Sequence, residues 1–112
     1  MKFYWHIHHD ILMELSDNIE ERIKYINERK PKNEIEIRLR LLKEVKGKLP
    51  EELVEAGKVY YKAMKAYDEA GKAYYEARKV YYKVYDKYKQ EIEALHKQEC
   101  PSCTWNGETI FY

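Results

Sequence analysis

The sequence predicts an α+β protein with a small β-α-β head, one long heptad-repeat helix and a short C-terminal β segment. Three observations predict it. Apolar residues alternate near the N-terminus and again over residues 34–43, which is strand spacing. From residue 58 to residue 92, tyrosine and alanine return every seven residues, which is the spacing of a helical seam. After residue 98 come two cysteines, an Asn-Gly turn signal and an apolar ending. The expected division is a head over 1–49, a helix over 50–98 and a tail over 99–112 docked on the head of its own or a partner chain.

Composition bounds the function. The chain has 112 residues, 45% apolar and 37% charged, with a formal net charge of +1. That balance suits an ordered domain and gives no general attraction to nucleic acid or acidic membranes. No apolar run approaches the ~20 residues of a membrane span. Histidines and an aspartate interrupt MKFYWHIHHDILM, so it does not read as a signal peptide. A cytoplasmic location is the resulting expectation. There the two cysteines read as metal ligands or free thiols before they read as a disulfide.

In chain order, residues 2–12 read as a strand, with Phe3, Trp5 and Ile7 opposite Tyr4, His6 and His8. A helix follows from about Asp17, where Glu20 completes a capping box. Ile19, Ile23 and Ile26 form its apolar face, and Pro31 ends it. Residues 34–43 alternate Ile35, Ile37, Leu39 and Leu41 with Glu36, Arg38 and Arg40, and read as the second strand. Pro50, Glu51 and Glu52 suit the start of the long helix. In the tail, Thr109 to Tyr112 read as a short strand after the Asn106-Gly107 turn.

A straight helix over 51–98 would span roughly 70 Å at ~1.5 Å per residue, far beyond a small globule. Its Tyr/Ala stripe needs cover. Nine of the 12 tyrosines lie between residues 60 and 88, so their rings supply much of the seam. Either the helix breaks at Gly71 and doubles back, or two chains lie antiparallel. Both glycines of this helix sit in an E-A-G-K context that looks like repeat drift, which favours an antiparallel homo-oligomeric bundle. A parallel dimer would leave tails away from heads.

Four groups of residues carry candidate chemistry. His96-x3-Cys100-x2-Cys103 supplies three ligands for tetrahedral zinc, with His6 or His8 as a fourth. Such a structural zinc would clamp head to tail, and the competing reading is ordinary thiols and surface histidines. His6 to Asp10 also has the composition of a hydrolase metal site, but a chain this short offers too few further ligands for catalysis. Tyr60, Tyr67, Tyr74 and Tyr81, with Lys58, Lys65, Lys72 and Arg78, could stack a base and hold phosphate. The plainer reading is a tyrosine core flanked by solvated lysines. Residues 58–99 carry 10 basic and seven acidic groups, too sparse a track for a long nucleic acid. Arg38 and Arg40 on one strand face could add an anion site, diluted by Glu34 and Glu36.

FYWHIHHDIL, EIRLRLLKEVKGKLP, the KAYDEA and KAYYEA sevens and the ending CPSCTWNGETIF together resemble a family of small bacteriophage and metagenomic proteins. The resemblance covers almost the whole chain and implies a phage or mobile-element setting. Small, non-enzymatic proteins of that setting often bind a host factor or a host immune signal, and the size of this chain suits stoichiometric binding. The leading expectation is a homo-oligomer that sequesters a small nucleotide-like signal. The alternatives are an inhibitor that binds a host protein, and a coiled-coil spacer.

Overall fold

The computed structural model describes residues 1–65 and 71–111, with side chains resuming at residue 74. The chain forms two compact units, one from Met1–Lys46 with Gln98–Tyr112, the other from Gly47–Lys97.

The first unit is built on a three-stranded antiparallel sheet. Strand β1 (Lys2–Trp5) lies in the middle, flanked by β2 (Met13–Ser16) and β3 (Lys43–Glu44). The register sets Trp5 opposite Met13 on one side and Lys43 on the other. The alternation of Phe3 and Trp5 holds, and both are buried. The strand does not run to residue 12, however. It stops at Trp5 because the chain turns at His6, whose φ is +53°, and β2 returns alongside. His6 and His8 are therefore not two steps along one strand face.

Helix α1 (Ile19–Arg29) starts one residue later than Asp17 would set it. Asn18 is the cap, its side chain accepting the Glu21 N–H at 3.3 Å while its amide donates to the Glu21 carboxylate. Ile26 is the fully buried member of the isoleucine face. The stretch expected as a second strand is instead helix α2 (Lys32–Leu41). Its glutamates, arginines, leucines and lysine are good helix formers, and Pro31 suits a helix entry. Helical spacing puts Glu34 on Arg38, which donates Nε and Nη2 to one carboxylate oxygen at 2.9 and 2.7 Å. The head order is β-β-α-α-β rather than β-α-β.

The tail belongs to this first unit. Ile110 donates its N–H to the His9 carbonyl at 2.8 Å, and Ile110, Leu41 and Cys100 share a buried core with Ile37, Trp105 and Phe111 against it. Among the described residues the tail forms no strand; Tyr112 lies outside them. Its turn is the one expected: Asn106 accepts the N–H groups of Glu108 and Thr109, and Gly107 has φ +103°.

The second unit corrects the single long helix. Residues 50–98 hold α3 (Glu51–Lys65), α4 (Gly71–Lys87) and the start of α5 (Lys89–Glu99). α3 and α4 pack antiparallel: Tyr60 stacks on Tyr81 at 5.2 Å and lies 5.9 Å from Tyr74, while Glu52 bonds Lys87 and Tyr88. The stripe thus meets itself within one chain, and the homo-oligomeric bundle is not needed to cover it. The physical reason is entropy. Closing a short connection costs far less than the ~4–15 kcal/mol of joining two free chains. The break near Gly71, weighed as the alternative, is where α4 begins; Tyr67, Ala66 and Ala70 lie outside the described residues. Val59 and Val80 are more than half exposed and do not join the seam.

Burial raises the phenol of Tyr85, with Glu93 adding to it, to about 12; burial and Tyr82 raise Tyr60 to about 12. Phenols that hold their protons more tightly when folded stabilise the hairpin below pH 10, and that contribution disappears as pH rises through 12. Helicity followed by circular dichroism is expected to fall over this window, with a shallower fall in Tyr85→Phe. Equal slopes would contradict the assignment.

Candidate metal centre

The centre is assembled where β1 ends and α5 ends. His6 follows β1 directly and lies at positive φ, +53°, a conformation uncommon for a residue other than glycine but one that histidine visits more often than most. Its backbone N–H is held by the Leu12 carbonyl at 3.1 Å. Its ring is buried, 5.2 Å from the ring of Trp105. Nδ1 lies 3.3 Å from the Ile11 carbonyl, which can only accept, so Nδ1 carries the proton. The neutral Nε2, with its lone pair available, faces Cys103 Sγ at 3.1 Å. A ring oriented through its far nitrogen by a carbonyl is the usual support of a metal-ligating histidine.

The other three ligands follow along one stretch of chain. His96 is buried in the last turns of α5, and Cys100 comes four residues later, one helical turn on and immediately past the helix end. Helix geometry alone therefore sets His96 beside Cys100. Cys103 N–H then closes a turn onto the Cys100 carbonyl at 3.1 Å, which returns the second sulfur to the first. Glu99 fixes this helix end to the sheet, accepting Trp5 Nε1–H at 3.2 Å and Lys46 N–H at 2.6 Å on one oxygen.

The ligand atoms of His6, His96, Cys100 and Cys103 all lie within 4.8 Å of one another, and three of the four residues are buried. A tetrahedral site with Zn–S near ~2.3 Å and Zn–N near ~2.0 Å has edges of about 3.3–3.8 Å. Closing by about an ångström reaches it. Burial and the neighbouring Cys103 thiol push the Cys100 thiol up to about 11, against a smaller pull from Lys43 and Arg40. Without a cation the Cys100 thiol keeps its proton; a divalent cation compensates ligating thiolates and makes the buried charge tolerable. The donor set of two sulfurs and two imidazoles fits a metal ion.

His8, the alternative fourth ligand, is exposed and pairs with Glu14 at 2.7 Å. His8→Ala is expected to leave metal content unchanged, whereas His6→Ala is expected to lose most of it. Elemental analysis checks both, and equal losses would contradict the assignment.

The nucleotide set is dispersed. Tyr60, Tyr74 and Tyr81 direct their rings at one another within the second unit, and Tyr81 is buried. Lys65 lies over Tyr61 and Arg78 over Tyr82, each at 5.3 Å, while Lys58 is half-buried on α3. Tyr67 and the Lys72 side chain lie outside the described residues. In the other unit, Arg38 is buried against Glu34 and the Phe111 ring, and Arg40 is exposed on α2. Sequence reasoning missed Trp5, Trp105 and Glu99 as supports of the centre. The signal was adjacency: Trp5 precedes His6, and Glu99 precedes Cys100.

Compared with known proteins, the chain matches no protein-family model, no curated protein and no solved structure. Among the described residues, no helix is long and apolar enough to cross a membrane.

Proposed function

We propose that this protein is a non-enzymatic binding module whose head and tail are held together by one structural zinc ion. The observation that carries the reading is the convergence of His6, His96, Cys100 and Cys103 from opposite ends of the sequence. Zinc is the cation that two thiolates and two imidazoles at tetrahedral spacing suit best. Zinc, when bound, supplies charge compensation and four directional bonds. The protein supplies the closed shell: Ile11 orients His6, Glu99 anchors the helix end, and the Cys100–Cys103 turn presents both sulfurs. Four protein ligands leave no open position for a substrate, so the centre is read as structural. The test is native mass spectrometry of protein expressed with zinc. One zinc per chain is expected, and a metal-free chain would overturn the proposal.

A second reading keeps the nucleotide-like ligand but moves its face. In the tyrosine doublets Tyr74-Tyr75 and Tyr81-Tyr82 the first of each packs on Tyr60, while Tyr75 and Tyr82 are exposed, Tyr82 also reaching Tyr60 at 6.0 Å. These two rings lie along α4 beside Arg78, Lys79 and Lys83 in one shallow groove, with Asp86 at its end. Exposed rings among cations suit a nucleotide's base and phosphates. Stoichiometric capture of such a signal fits the phage setting that the resemblance implies. Titration with adenosine triphosphate is expected to shift amide resonances over 75–86, and shifts elsewhere alone would dismiss this face.

A further inference from the structure

We propose that Cys100 and Cys103 form a peroxide-sensitive release for the metal, an inference that rests on the zinc reading above. These are the only cysteines in the chain. The turn that closes Cys103 N–H onto the Cys100 carbonyl keeps the two Cα atoms inside the ~7 Å span of a β-turn, the range a disulfide bridges. Their sulfurs lie within 4.8 Å of each other. The two sulfurs differ in access. Cys100 is 4% exposed, whereas Cys103 is only half-buried. Cys103 is therefore the sulfur an oxidant reaches first.

The chemistry balances with a hydroperoxide as the named oxidant. The Cys103 thiolate attacks the distal peroxide oxygen, the O–O bond breaks, and the departing alkoxide or hydroxide takes a proton to give an alcohol or water. The Cys103 sulfenic acid is then attacked by the Cys100 thiolate; the S–S bond forms, the S–O bond breaks, and hydroxide leaves as water with a second proton. The sulfur pair is oxidised by two electrons and the peroxide is reduced by two. Both anionic ligands are consumed together, so His6 and His96 alone remain. Two neutral imidazoles in a buried site do not retain a divalent cation. The head and tail thereby lose their clamp under oxidation, while a disulfide that spans only Pro101 and Ser102 remains local and adds little restraint between distant parts of the chain.

The experiment uses zinc-loaded full-length protein treated with hydrogen peroxide, with released zinc read by a colorimetric chelator and the chain read by intact mass. The expected result is one zinc released per chain, both thiols lost together, and a mass lower by two hydrogens than the reduced apo-chain. A thiol reductant with added zinc is expected to restore the starting state. Cys103→His keeps four ligating side chains without a possible disulfide, and is expected to retain zinc under the same peroxide. Retention of zinc by the wild type, or release accompanied only by added oxygen or by linked chains, would overturn the switch while leaving the zinc reading intact. Protein that purifies without zinc and takes up none would overturn both, and the mass of the untreated chain distinguishes the two failures.

Discussion

Removing metal with a strong chelator is expected to lower the melting temperature of the head-and-tail unit by about 10–20 °C. A ligand held at 100 times its dissociation constant stabilises the native state by about 2.7 kcal/mol, and 1 kcal/mol shifts a small domain by about 4–8 °C. The first unit is small, with a two-residue edge strand and, among the described residues, no strand in its tail. Its closure relies on a few buried groups, chiefly Leu41, Cys100 and Ile110. Cys100→Ala is expected to melt near the chelated wild type and to ignore the chelator. The same chelator is expected to leave the melting temperature of metal-free protein unchanged. Identical melting of treated and untreated zinc-loaded protein would show that the four residues are neighbours without a shared ligand.

Trp5→Ala is expected to destabilise the first unit by about 3–5 kcal/mol, the range for deleting a buried aromatic. Trp5 is fully buried on the central strand, paired with Met13 on one side and Lys43 on the other. Its indole N–H also reaches Glu99, the residue before Cys100. Its loss therefore empties the core and loosens the helix end that presents two ligands. Trp5→Phe refills most of the volume and loses only the hydrogen bond, so its cost is expected nearer ~1 kcal/mol. Urea denaturation followed by intrinsic fluorescence of Trp105 reads both. A Trp5→Ala variant as stable as wild type would contradict the placement of this ring at the centre of the sheet.

Much of the local structure was legible from the residues. Phe3 and Trp5 announced β1, Ile26 lay on the buried face of α1, and Asn106-Gly107 turned as its type requires. The sevens marked helix, and Tyr60, Tyr74 and Tyr81 from them meet between α3 and α4. What a heptad cannot express is whether the facing helix belongs to the same chain, because Tyr60 can stack on a Tyr81 from either source. The 34–43 stretch misled for a related reason. Ile35, Ile37, Leu39 and Leu41 satisfy period two, but Ile37 and Leu41 also satisfy a helical step of four, and the intervening Glu34–Arg38 pair prefers it.

The centre was half legible. His96, Cys100 and Cys103 are local, so spacing alone could group them. The fourth ligand depended on a backbone turn at His6 that no side-chain pattern specifies. Strand periodicity kept His6 and His8 together, while the positive φ buries one against Cys103 and sends the other to Glu14. Glu99 was invisible because its role is to hold a helix end, a task any acidic residue could appear to share.

The most direct test is X-ray absorption at the zinc edge on the purified, zinc-loaded protein. The account predicts a four-coordinate shell of two sulfurs near ~2.3 Å and two nitrogens near ~2.0–2.1 Å. A shell without sulfur, or one of oxygens and exposed imidazoles such as His8, would contradict it.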